Sequence, residues 1–168
     1  MKILLAVTLV TLTITNIVIA QTPATYPKIV LYVGVLHPLV TYGNNSKPHY
    51  NFDGAYTAGL PTGINIWKSA KIGFSMEFVP LIRAANGTSK MSNFLFHPGA
   101  LFGLGKGFTL ATRAAFETSG RYGFTPVLNK IVKRNPQSSY FIAVPVPARF
   151  GNDLPASLSI GFQFGIIF

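Results

Sequence analysis

Ser157-Leu-Ser-Ile-Gly-Phe-Gln-Phe-Gly-Ile-Ile-Phe168 closes the chain, and its side chains alternate in character. Leu158, Ile160, Phe162, Phe164, Ile166 and Phe168 stand at even positions, while Ser157, Ser159, Gly161, Gln163 and Gly165 stand at odd ones. Only Ile167 breaks the rule. Successive side chains of a strand point to opposite faces, so this stretch predicts a strand with one large apolar face and one small polar face. The pattern recurs upstream. Ile72, Phe74, Met76, Phe78, Pro80 and Ile82 alternate with Lys71, Gly73, Ser75, Glu77, Val79, Leu81 and Arg83. Phe108, Leu110, Thr112, Ala114 and Phe116 alternate with Thr109, Ala111, Arg113, Ala115 and Glu117. Tyr140, Ile142, Val144, Val146, Ala148 and Phe150 alternate with Phe141, Ala143, Pro145, Pro147 and Arg149.

An ordinary β-sandwich also alternates, with its polar face in water. Here the polar face is made of Gly, Ser, Ala and Thr with isolated charges. Charged residues are only 11% of the chain, against about 25% in soluble domains. The strands also run well past the usual 5–6 residues or so, into the range of about 9–11 that a tilted strand needs to cross a bilayer. Both features fit an inverted arrangement, apolar face to lipid and small polar face to a narrow interior. In lipid every backbone N–H and C=O must be paired, so such strands must close on themselves. The predicted fold is therefore all-β, an antiparallel transmembrane β-barrel. Eight strands are expected, near 28–41, 55–67, 71–83, 93–104, 108–117, 122–132, 140–150 and 156–168. The long connections 42–54 and 84–92 would lie outside the cell, and the short ones near 68–70 and 105–107 in the periplasm. The connections at 118–121 and 133–139 fit that asymmetry less well.

The first twenty residues stand apart. Met1-Lys2 precedes an apolar run from Ile3 to Ile19, and Val18-Ile19-Ala20 before Gln21 fits a signal-peptidase site. This is the pattern of a secretory signal peptide, 1–20, leaving 21–168 as the barrel. Losing Lys2 lowers the net charge from +10 to +9. With no Cys in the chain, a disulfide scaffold and a Cys-based zinc site are excluded.

The end of the chain resembles the C-terminal strand of bacterial outer-membrane β-barrel proteins, on Ile160, Phe162, Phe164, Ile166 and Phe168. The resemblance implies a location in the bacterial outer membrane. It also implies that these five residues are an assembly signal for the barrel-assembly machinery.

Five residues on the inward face carry charge, and Glu77, Arg113, Glu117, Arg149 and Arg83 are expected to form a lumen charge network. Buried charge is costly unless paired, so the network either fills the lumen or selects a small solute. Eight strands leave room for side chains or one small ligand, not for a wide pore. Lys28, Lys68, Lys71, Lys106, Lys130, Lys133 and Arg134 gather at the periplasmic end, and Lys47, Arg83, Lys90 and Arg121 at the other. Membrane lipid and lipopolysaccharide are the expected partners of these rims, another envelope protein is a further candidate, and no nucleic acid is expected. Tyr26, Tyr32, Tyr42, Tyr50, Tyr56, Trp67, Tyr122 and Tyr140 are expected at the membrane interfaces.

Four carboxylates in all give little material for acid–base catalysis, and His37, His49 and His97 lack metal-ligand spacing. No catalytic residue, metal site or cofactor is expected. Pro38, Pro61, Pro80, Pro98, Pro126, Pro145 and Pro147 fall inside strands, where each removes a ladder hydrogen bond. They predict bulges or early strand ends, and an opening through which an apolar ligand could leave sideways. Two roles follow for a membrane barrel, a structural or accessory one and the passage of a small solute. The alternative class is a secreted soluble β-barrel that binds an apolar ligand inside.

Overall fold

The computed structural model describes residues 25–43 and 47–168. The expected signal peptide, 1–20, lies outside the described residues. Eleven β segments follow one another: β1 (Lys28–Tyr42), β2 (Pro48–Tyr50), β3 (Tyr56–Gly59), β4 (Thr62–Trp67), β5 (Ile72–Ala85), β6 (Thr88–Gly105), β7 (Phe108–Glu117), β8 (Tyr122–Arg134), β9 (Ser139–Pro145), β10 (Ala148–Phe150) and β11 (Ser157–Ile167). They form eight staves, since β2, β3 and β4 share one and β9 and β10 another. All pairings are antiparallel, and β1 pairs with β11 from Tyr32↔Ile167 to Tyr42↔Leu158, which closes the ring. Phe168 extends the seam, exchanging both backbone hydrogen bonds with Leu31 at 2.9 and 3.0 Å. The protein is an eight-stranded antiparallel transmembrane β-barrel.

The alternation sets which face turns out. Phe162 is 37% and Phe164 44% exposed, whereas Gly161 and Gln163 between and before them are buried. In β5, Ile72, Phe74 and Phe78 are exposed and Gly73, Ser75, Glu77 and Val79 buried. The outer wall is thus a belt of exposed apolar side chains from every stave. Monomeric soluble proteins rarely expose contiguous apolar patches beyond a few hundred Å². Rings of adjacent staves meet on this belt, as in Phe78–Phe96 with centroids 5.2 Å apart and Phe96–Phe116 at 6.5 Å. Inward-facing glycines let the two neighbouring staves, and the ring that one of them turns inward, lie close. A Cβ at Gly165 would lie 2.7 Å from Gly34 Cα and 2.8 Å from Phe141 Cε1.

Several boundaries correct the expectations. The 84–92 segment is not a long loop. Ala85 and Thr88 are joined by Asn86-Gly87, both with positive φ (50° and 73°), the backbone of a tight two-residue hairpin turn. β5 and β6 therefore run on together and project as a tall hairpin tipped by Thr88, Ser89 and Lys90. The outer connection 42–54 is also partly strand. β2 pairs with β1 through Val40↔Tyr50 to Tyr42↔Pro48, and residues 51–55 loop out before β3 resumes. The stave expected at 55–67 is interrupted at Leu60-Pro61, between β3 and β4.

The prolines act unequally. Pro80, Pro98 and Pro126 stay in their strands. Pro38 adjoins a bulge that takes Leu39 out of the β1–β11 ladder. Pro145 and Pro147 interrupt a stave. The β9–β11 ladder stops at Ala143↔Gln163, and β10 resumes with β11 only at Ala148↔Leu158. Across the gap, Ser159 N–H donates to Pro147 O at 2.8 Å. Neither proline can return a bond.

Candidate functional site

The lumen is closed at mid-height by a layer of hydrogen-bonded polar side chains. Glu77 on β5 is its centre and is 3% exposed. Tyr32 Oη, from β1, donates to Glu77 Oε2 at 2.8 Å. Arg113, from β7, donates from Nη1 to Glu77 Oε1 at 3.4 Å, from Nη2 to Tyr32 Oη at 3.1 Å and from Nε to Ser75 Oγ at 3.2 Å. His97, from β6, meets Glu77 Oε1 through Nδ1 at 3.0 Å. Its other nitrogen, Nε2, lies 3.2 Å from Arg149 Nη2.

The chain of contacts continues toward the loop end. Arg149 Nε donates to Glu117 Oε1 at 2.6 Å, and its Nη1 is held by Thr125 Oγ1 at 3.0 Å and by the carbonyls of Ala148 and Phe124. Glu117 Oε2 accepts from Asn93 Nδ2 at 2.5 Å and from Ser119 Oγ at 3.0 Å. Each buried charge thus has an opposite charge and further hydrogen bonds beside it, the condition under which burial is tolerated. The side chains come from β1, β5, β6, β7, β8 and β10, so the layer bridges the lumen.

Of the five inward charges expected, four meet in two ion pairs, Glu77–Arg113 and Glu117–Arg149. His97, on the inward face of β6, joins the two pairs. Its sequence signal was only parity: it shares a face with Leu95 and opposes Phe94 and Phe96. Arg83 stands apart. It is exposed, lines the outer part of the lumen, and makes no ion pair among the described residues. Tyr32 corrects the interface expectation, since it is 4% exposed and points into the lumen. Trp67 also faces inward and packs against the buried cluster around Tyr32, Leu101 and Phe141. Tyr26, Tyr42, Tyr50, Tyr122 and Tyr140 are exposed near strand ends. Tyr56 lies on the outer wall, where its hydroxyl pairs with His37 Nδ1 at 2.5 Å.

Space is left on either side of the layer. Toward the loops lies a cavity of about 530 Å³, lined by Leu36, Leu81, Leu95, Arg83, Arg121 and the outer faces of Glu77, His97 and Arg149. Pro145, Pro147 and Ser159–Gly161 form part of its wall, so the interrupted seam borders this chamber. Toward the chain termini lies a larger cavity of about 890 Å³, bounded above by Tyr32 and Arg113 and below by the turns at 68–70, 105–107 and 135–138. Val127 and Gln163 line both chambers, marking how thin the partition is.

Ile160, Phe162 and Phe164 of the expected assembly signal point outward, with Phe168 exposed at the terminal end. Ile166, on the same face, is half-buried.

No protein-family model matches the chain, and no curated protein matches it. Among solved structures, it is similar to the de novo designed TMB2.3 in its solution NMR structure, with TM-score 0.43 and 10% identity over 82% of this chain and 93% of that one. A structure described under de novo design of transmembrane β-barrels gives 0.45 and 13%, over 88% and 97%. The crystal structure of the outer membrane protein OprG from Pseudomonas aeruginosa gives 0.40 and 10%, over 83% and 93%. The barrel assignment rests on this chain's own closure from β1 to β11 and on its outward apolar belt.

Proposed function

We propose that the protein is a bacterial outer-membrane barrel that passes a small solute through a lumen kept shut by the Tyr32–Glu77–Arg113–His97–Arg149 layer. The observation that carries this reading is the back-to-back placement of two chambers, about 530 and 890 Å³, with a single side-chain layer between them. A purely structural eight-stranded barrel needs no such chambers, because side chains can fill its interior. The layer is built of side chains, which can change rotamer without opening the wall. Its residues would act as the gate, and the inserted barrel would sit among phospholipid and lipopolysaccharide. Assembly machinery would read the terminal strand through Ile160, Phe162, Phe164, Ile166 and Phe168.

A second reading is an accessory barrel with no passage, acting beside another envelope protein. It is favoured by how completely the layer is hydrogen-bonded. Planar-bilayer conductance separates the two. The wild-type barrel should be closed for most of the recording, and Arg113→Gln, which removes the guanidinium bonded to Ser75, Glu77 and Tyr32, should raise the open fraction. If neither passes ions while both keep a folded-barrel gel shift, passage is wrong and the accessory reading stands.

A further inference from the structure

The chain's charge is divided by the closing layer. All four acidic side chains lie at the layer or on its loop side: Glu77 in the layer, Glu117 above it, and Asp53 and Asp153 in loop-end connections. Among the described residues no acidic side chain lines the terminal chamber, whereas Lys28, Lys106, Arg113 and Arg134 do. Arg113 is already met by Glu77. Lys28, Lys106 and Arg134 have no ion pair among the described residues.

Anchoring to anionic lipid accounts for cations on the outside of a rim. It does not account for cations that also line the chamber, as these three exposed side chains do. Lys28 is on the inward parity of β1, with Val30 and Tyr32. Arg134 lies over the 105–107 turn, its Nη2 3.7 Å from where a Cβ on Gly107 would stand. Lys130 serves the outer wall instead: its ammonium stands 4.0 Å from the Phe108 ring centroid and donates to the Lys106 carbonyl. A one-sign set of charges in a cleft with low-dielectric walls concentrates counter-ions of the opposite sign.

A second feature inside the chamber points to a ligand. Asn65 Oδ1 is buried and has no hydrogen-bond partner. Asn65 faces inward beside Ser75 and Val30, in the wall of this chamber. A buried acceptor without a donor is unfavourable by about 1–3 kcal/mol, and turning the amide toward the chamber would let a ligand hydroxyl satisfy it. The chamber, at about 890 Å³, is of the size of small-molecule sites.

We infer that the terminal chamber is a binding site for a hydroxylated organic anion, with the chemistry of a glycerophosphate. Lys28, Lys106 and Arg134 take the anionic group and Asn65 accepts from a hydroxyl deeper in. The inference deepens the passage reading by naming what enters from this end, but equilibrium binding does not require the layer to open. The same chemistry is carried by a free solute or by a phospholipid headgroup reaching over the rim.

The test is calorimetric titration of glycerol 3-phosphate into the full barrel in nanodiscs of zwitterionic lipid. Saturable binding at one site is expected, with glycerol not binding. The variant K28Q/K106Q/R134Q should bind about tenfold more weakly or worse, and Asn65→Leu should weaken glycerol 3-phosphate but leave inorganic phosphate unchanged. Each variant is first shown to keep the folded-barrel gel shift. No binding by the folded wild type, or binding undiminished in the triple variant, overturns the inference. In nanodiscs of phosphatidylglycerol, retained binding supports a free solute as the source, and lost binding supports a headgroup already in the site. Failure of binding leaves any conductance of the barrel untouched, so the two readings fail separately.

Discussion

Arg149 Nη2 lies 3.2 Å from His97 Nε2, and a guanidinium can only donate. The imidazole must therefore accept there, which places its ring proton on Nδ1, 3.0 Å from Glu77 Oε1. One neutral ring thus transmits between two ion pairs, and the lumen is closed by a single connected structure rather than two separate bridges.

The first consequence is energetic. Glu77→Leu leaves Arg113 buried without its carboxylate, and breaking a buried pair from one side is unfavourable by about 3–5 kcal/mol. E77L/R113L removes both charges and should be markedly more stable than E77L alone. Reversible urea unfolding in detergent micelles or liposomes checks this. Equal destabilisation in the single and double variants would show that the pair is not coupled.

Gly63 makes room for the tyrosine of the layer. A Cβ there would fall on the Tyr32 hydroxyl, and lie 2.7 Å from the Met76 carbonyl. Gly63→Ala should push Tyr32 off Glu77 and raise conductance. Gly43→Ala, where a Cβ meets nothing within 4 Å, should change neither conductance nor stability. Matching traces for both variants would remove Tyr32 from the gate.

The proline seam predicts a route through the wall. P145A/P147A restores two N–H donors opposite β11 and should let the ladder close between Ala143↔Gln163 and Ala148↔Leu158. Each added bond is worth roughly 0.5–1.5 kcal/mol. The variant should unfold at higher denaturant and take up an apolar fluorescent probe from the bilayer more slowly. Unchanged probe uptake would mean that the seam is not a path.

The terminal strand predicts a split between folding and assembly. Phe168 is exposed, yet its backbone is paired to Leu31. Phe168→Ser should refold in detergent nearly as well as the wild type, but reach the outer membrane of living cells in smaller amount. Equal amounts in the membrane would dismiss the assembly-signal role.

Much of this architecture is legible in the sequence, because in β5, β7 and β11 the two faces differ in size and polarity. β1 hides its directions: Val30, Leu31, Tyr32 and Val33 are apolar on both faces, so nothing local says that Tyr32 turns inward. Only the carboxylate on β5 and the gap at Gly63 decide that, and both are distant in sequence. His97 was hidden for the same reason, since its partners Glu77 and Arg149 lie on other staves. The Asn86-Gly87 hairpin was readable from its turn residues, but the polar Thr88–Lys90 stretch beside it resembles a loop in composition. The split of charge across the layer needs the topology before it can be seen.

The central claim is a closed barrel whose apolar face meets lipid. Its most direct test is a gel of fractionated bacterial envelopes, run with unheated and boiled samples. The account predicts the protein in the outer-membrane fraction, migrating differently before boiling because the closed ring resists detergent. A soluble protein in the periplasm or medium, with no shift on boiling, would contradict it and make the apolar belt the inside of some other assembly.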